Sequence, residues 1–122
     1  MCIRDRPDLI CVWLALGDEI AANGGLKFIP GSHRLDITRE QLDDLDFLRP
    51  DHAPNEALFA QGTPVDLHQG DVVFFHSKLF HAAGVNTTTT VKTSVAFAYH
   101  GASNQAVAGS RSSIAGSVAV SD

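Results

Sequence analysis

Cysteine, methionine, tryptophan and tyrosine are scarce: two, one, one and one among 122 residues. Cys2 and Cys11, both near the start, make neither a disulfide framework nor a cysteine-rich metal knuckle, and so small a number suits a reducing cytoplasm. Long apolar runs are missing as well. The longest, Leu9-Ile10-Cys11-Val12-Trp13-Leu14-Ala15-Leu16, has eight residues, against the roughly 20 that a membrane-spanning helix needs. Basic residues are in the minority, nine Lys and Arg against 14 Asp and Glu, for a formal charge of −5. No basic stripe of the kind that grips nucleic acid is present. No basic start followed by an apolar stretch and a small-residue cleavage site is visible. A cytoplasmic protein with neither membrane nor nucleic acid as partner is the expectation.

What is present suffices for one packed domain or part of one, with 44% hydrophobic and 19% charged residues. Residues 1–8 are polar and without period. Residues 9–16 then begin at full hydrophobic strength and end at Gly17-Asp18, which reads as a buried strand. Asn23-Gly24-Gly25 is a turn signal. Leu26-Lys27-Phe28-Ile29 follows as a short strand, closed by Pro30-Gly31-Ser32. Residues 38–48 carry Leu42, Leu45 and Leu48 at spacing three, and Thr38 with Gln41 fits a capping box, so a short surface helix is expected there. Pro50, Pro54, Asn55 and Gly62 mark residues 49–62 as an irregular excursion.

Pro64-Val65-Asp66-Leu67 alternates, and Gln69-Gly70-Asp71 is a turn. Val72-Val73-Phe74-Phe75 is a buried strand running into His76. Leu79-Phe80-His81 is a second apolar stretch, broken by Ala82-Ala83-Gly84. Thr87 to Thr90 form a loop. Residues 91–99 alternate as a strand, with Val91, Thr93, Val95, Phe97 and Tyr99 on one face and Lys92, Ser94, Ala96 and Ala98 on the other. In residues 101–122, 14 of 22 are Gly, Ala or Ser, and only Val107, Ile114, Val118 and Val120 offer anchors, which predicts a loose tail. Short strands separated by turns, with one short helix, predict a mostly β sandwich or jelly roll with too few strands to close two full sheets.

Six histidines are candidates for metal chemistry. A helical His-Glu-x-x-His is absent. The local half of a two-histidine, one-carboxylate iron site is His-x-Asp or His-x-Glu. The residues two after each histidine are Leu35, Pro54, Gly70, Lys78, Ala83 and Ala102, none of them acidic. A trio of His68, His76 and His81 would suit zinc. The plainer alternative makes His76 a strand-end residue with a satisfied hydrogen bond and His68 an exposed turn residue. Lys92, beside Ser94 and Ala96, is placed either to clamp a carboxylate or to blunt an exposed strand. Ser32 or His33 lines a pocket mouth, or simply ends a strand.

Several segments, in their order, resemble the phytanoyl-CoA dioxygenase family. They are Val12-Trp13-Leu14-Ala15-Leu16, Asn23-Gly24-Gly25-Leu26, Ile29-Pro30-Gly31-Ser32-His33-Arg34, Gly70-Asp71-Val72-Val73-Phe74-Phe75-His76 and Leu79-Phe80-His81-Ala82-Ala83-Gly84-Val85-Asn86. The likeness spans about residues 7 to 100. It implies a partial double-stranded β-helix, cupin-like, belonging to a non-haem iron(II), 2-oxoglutarate-dependent oxygenase, with ascorbate as an accessory reductant. It also implies a small-molecule substrate, chosen in part by the excursion over residues 35–62.

Residue by residue, His81 matches the second iron-binding histidine. The family's Arg that holds the far carboxylate of 2-oxoglutarate falls eleven residues later, at Lys92, which keeps the charge but not the bidentate fork. Trp13 matches a strand position beside the cosubstrate. The small residue two after the metal histidine is often Ser, and here it is Ala83. The family's His-x-Asp precedes the first strand, so the resemblance implies that residues 9–100 are the C-terminal part of the domain. Residues 1–8 are then a leader unrelated to the family, in part a spurious one. A binding module that has lost its metal is the alternative.

Overall fold

The computed structural model describes residues 8–120, and the expected leader at residues 1–8 lies almost wholly outside them. Two three-stranded antiparallel sheets face each other. The first is ordered β4-β1-β6, from β1 (Ile10–Ala15), β4 (Val72–His76) and β6 (Ser94–Tyr99). The second is ordered β3-β2-β5, from β2 (Leu26–Phe28), β3 (Thr63–Pro64) and β5 (His81–Ala83). The expected mostly β, cupin-like architecture is what forms.

β1 is the central strand, paired antiparallel with both β4 and β6, and its sequence is apolar on both faces. On the inner face Cys11 is buried opposite Phe75 and Ala98, and Trp13 opposite Val73 and Ala96. Phe75 and Phe28 meet edge to face across the sheets, with ring centroids 5.0 Å apart. On the outer face Ile10, Val72, Phe74, Phe97 and Tyr99 are exposed, Phe74 at 69%. An apolar sheet face of this extent is unusual in an isolated domain.

The glycines of two separate motifs explain how the sheets are stapled. Gly24 has φ +86°, and a Cβ there would stand 2.8 Å from the Gly84 carbonyl oxygen. Gly84 N donates to Gly25 O at 3.0 Å, and Asn23 bridges Asn86. The Asn23-Gly24-Gly25 turn therefore lies directly on the chain leaving β5, an approach that side chains would block.

Residues 29–62 form a small core together with Phe80. Ile29, Leu42 and Phe80 are buried together, with Ile37, Leu48 and Leu58 against them. Here the expected helix over residues 38–48 does not form. The Thr38–Gln41 box is present, with Thr38 N donating to Gln41 Oε1 at 3.1 Å, but it closes only one 3-10 turn, Arg39–Gln41. Asp43 stops propagation: its Oδ1 accepts from Leu45 N and Phe47 N, both at 2.9 Å, a local bond that competes with the helical ladder. The helix lies instead in the segment read as irregular, as α1 (Ala53–Phe59), with Pro54 in its first turn where no N–H is needed. Asn55 fixes it from within. Fully buried, it donates to Gln41 O and Arg49 O at 2.8 and 2.9 Å and accepts from Gln41 Nε2 at 3.0 Å.

Other limits shift modestly. β6 begins at Ser94, so Lys92 lies in its extended approach, and His81 opens β5 where a break after it was expected. In the tail α2 (Arg111–Ala115) is a single turn of helix. Val107, Ile114, Val118 and Val120 are all exposed, so none anchors a core.

Candidate functional site

His81 begins β5, paired in register with Phe28 and held against the Phe75 ring edge to face, centroids 4.7 Å apart. Its Nδ1 lies 2.8 Å from the Leu79 carbonyl oxygen. A carbonyl only accepts, so Nδ1 carries the hydrogen and the lone pair sits on Nε2. Burial pushes its pKa below the ordinary 6.5, opposed in part by the Leu79 hydrogen bond. The ring is therefore neutral at neutral pH, as a ligand must be. His81 fits as one metal ligand. Among the described residues no group of three or more His, Cys, Asp or Glu side chains converges, so His68, His76 and His81 do not form the zinc trio. His68 is exposed, with Nδ1 3.6 Å from Asp18 Oδ1. His76 ends β4 and accepts from Lys78 N at 3.1 Å.

Trp13 and Lys92 come together, through a residue that the sequence did not single out. Glu19 is fully buried. Its Oε1 accepts from Trp13 Nε1 at 2.9 Å, and its Oε2 lies 3.0 Å from Lys92 Nζ. The ammonium stands 5.0 Å from the centre of the Trp13 ring, within cation–π reach. Glu19 is placed there by a backbone exchange with Leu67, 2.8 Å in both directions. A single carboxylate following Gly17-Asp18 has no periodicity to flag it, and its ion-pair partner is 73 residues away.

Ser32 is structural. It is fully buried, and its Oγ accepts from Phe80 N at 2.9 Å, tying the Pro30-Gly31-Ser32-His33 turn to the start of β5. His33 stacks on His76 with centroids 5.5 Å apart. Two concavities flank these groups. An apolar cavity of about 230 Å³ runs from His81 and Phe80 past Phe28 to Phe47, Leu48 and Phe59. An open depression of about 430 Å³ is bordered by Lys92, Gly24, Ala83, Asn86 and Thr90.

A sequence profile of the phytanoyl-CoA dioxygenase family matches residues 3–94. The chain belongs to the phytanoyl-CoA dioxygenase family. Phytanoyl-CoA dioxygenase 1 of Oryza sativa subsp. japonica is 33% identical over 82 residues, which are 67% of this chain and 29% of that protein. Phytanoyl-CoA dioxygenase domain-containing protein 1 of Danio rerio is 33% identical over 84 residues, 63% of this chain and 28% of that protein. The chain thus spans under a third of these curated relatives. Among solved structures, the non-heme alpha ketoglutarate dependent epimerase SnoN superposes with a TM-score of 0.64 at 29% identity, over 81% of this chain and 35% of its own. The carbocyclase SnoK gives 0.64 at 24% identity, over 91% and 43%, and shows the shared fold. Membership in a family of dioxygenase type, with structural neighbours described as non-heme alpha ketoglutarate dependent enzymes, follows from these matches. No helix among the described residues is long and apolar enough to cross a membrane.

Proposed function

We propose that this chain is the C-terminal part of an iron(II)/2-oxoglutarate dioxygenase domain that hydroxylates a small organic substrate. The observation that carries this reading is His81: neutral, half-buried, and turned by the Leu79 carbonyl so that Nε2 bears the lone pair. Iron(II) bound with 2-oxoglutarate would, with dioxygen as oxidant, supply oxidative decarboxylation of the cosubstrate to succinate and carbon dioxide coupled to hydroxylation of the substrate. His81 would hold the metal at Nε2, while Phe28 and Phe75 pack against its ring. Lys92 would take the far carboxylate of the cosubstrate as a point charge, with Trp13 beside it.

The apolar cavity at His81 is walled by Phe47, Leu48 and Phe59 from the excursion over residues 35–62. That supports the excursion as the part that selects an apolar substrate. The other two ligands, a His-x-Asp pair, come from sequence upstream of residue 9. A small-molecule enzyme of the cytoplasm, with no nucleic-acid or membrane partner, completes the reading.

Succinate formation with iron(II), ascorbate and 2-oxoglutarate tests it. The chain as it stands gives none above the no-protein background, because one histidine does not replace a triad. The same domain carrying its upstream His-x-Asp turns over. Turnover by this chain alone, or none in the extended domain, overturns the reading.

A further inference from the structure

Glu19 has no part in the function proposed above, yet its carboxylate is fully buried and sits where a cosubstrate carboxylate is expected. Lys92, 14% exposed, borders the open depression beside Gly24 and Asn86, but its ammonium already has an anion 3.0 Å away on its buried side. The positive charge that would draw in a dicarboxylate is therefore compensated from within. A second carboxylate on Lys92 places two negative charges around one positive in a partly desolvated site, where repulsion is weakly screened.

An ion pair kept only for folding would leave ligand affinity untouched. Here the same Lys92 Nζ both pairs with Glu19 and lies 5.0 Å from the Trp13 ring centre, so any anion that engages it must share it with Glu19. We propose that Glu19 is a built-in competitor for Lys92, setting how tightly this chain holds the far carboxylate of a 2-oxo dicarboxylate. The inference rests on Lys92 being that carboxylate's contact.

Trp13 is the only tryptophan in the chain, and its indole N–H bonds Glu19, so its emission reports directly on this cluster. The experiment titrates the whole chain, without metal, with 2-oxoglutarate and with 2-oxobutanoate, which lacks the far carboxylate. Glu19→Gln keeps an acceptor for the indole and removes the charge. It is expected to tighten 2-oxoglutarate binding by at least about tenfold and to leave 2-oxobutanoate unchanged. Glu19→Asp, which withdraws the carboxylate by one methylene, is expected to fall between, and it serves if Glu19→Gln does not fold.

Unchanged or weaker 2-oxoglutarate binding in both variants, with binding lost in Lys92→Ala, overturns the competitor and leaves Lys92 as the contact. Binding in Lys92→Ala equal to that of the parent chain overturns the Lys92 contact, and the competitor with it.

Discussion

Removing the Glu19 carboxylate should cost this fold several kcal/mol. Glu19→Ala deletes a partner of two groups at once: the acceptor of Trp13 Nε1 at 2.9 Å and the counter-ion of Lys92 at 3.0 Å. A hydrogen bond to a charged acceptor contributes about 1.5–3 kcal/mol, and breaking one side of a buried pair costs about 3–5 kcal/mol. Lys92 retains 14% exposure, so its ammonium keeps a path to water, and the lower end, about 3 kcal/mol, is expected. That is a large share of the roughly 5–15 kcal/mol that holds a domain. In urea, with a slope of about 1–3 kcal/mol per molar, the midpoint should fall by about 1–3 M. The assay is equilibrium urea unfolding followed by Trp13 emission, with far-ultraviolet circular dichroism as the second probe. Glu19→Ala with Lys92→Met should lose at least about 1 kcal/mol less than the two single losses summed, because the second change removes the charge that the first left bare. A Glu19→Ala loss below about 1 kcal/mol, the range of exposed pairs, would refute the reasoning.

Three further outcomes are expected. Ser32→Ala removes the hydroxyl that accepts from Phe80 N at 2.9 Å and should cost about 0.5–1.5 kcal/mol by urea unfolding. The folded pKa of His81 lies below its unfolded value of 6.5, so below that value the unfolded chain binds more protons. Stability should fall as pH drops through and below 6.5, and it should be flat well above that value; the slope in unfolding midpoints should shrink in His81→Gln. The exposed Ile10, Phe74, Phe97 and Tyr99 share one sheet face, so the isolated chain should associate as concentration rises, seen by sedimentation; a monomer at every concentration contradicts this.

The strands were legible in position, where local pattern and pairing coincide, but not in burial: residues 9–16 and 72–75 read as buried strands, whereas Ile10, Val72 and Phe74 are exposed on the outer sheet face. β1 is paired on both edges, with β4 and with β6, and β4 ends at His76 as the run of Val72, Val73, Phe74 and Phe75 suggests. The helix was misplaced because spacing three at Leu42, Leu45 and Leu48 looks helical while Asp43 caps the backbone locally instead. α1 was hidden by Pro54 and Asn55, breakers by type. In the fold the first sits where a helix tolerates it, and the second is the anchor of the segment. Trp13 and Lys92 were visible through family likeness, whereas Glu19 was not. Its role arises only when residues far apart in sequence converge, and no local period records that.

The most direct test concerns His81 in the domain carrying its upstream His-x-Asp. Iron(II) and 2-oxoglutarate are added without oxygen, and the visible charge-transfer absorption of the chelated cosubstrate is recorded. Absorption present in the parent domain and absent in His81→Ala, with both folded by circular dichroism, is the predicted result. Absorption that survives His81→Ala would contradict the assignment of His81 to the metal.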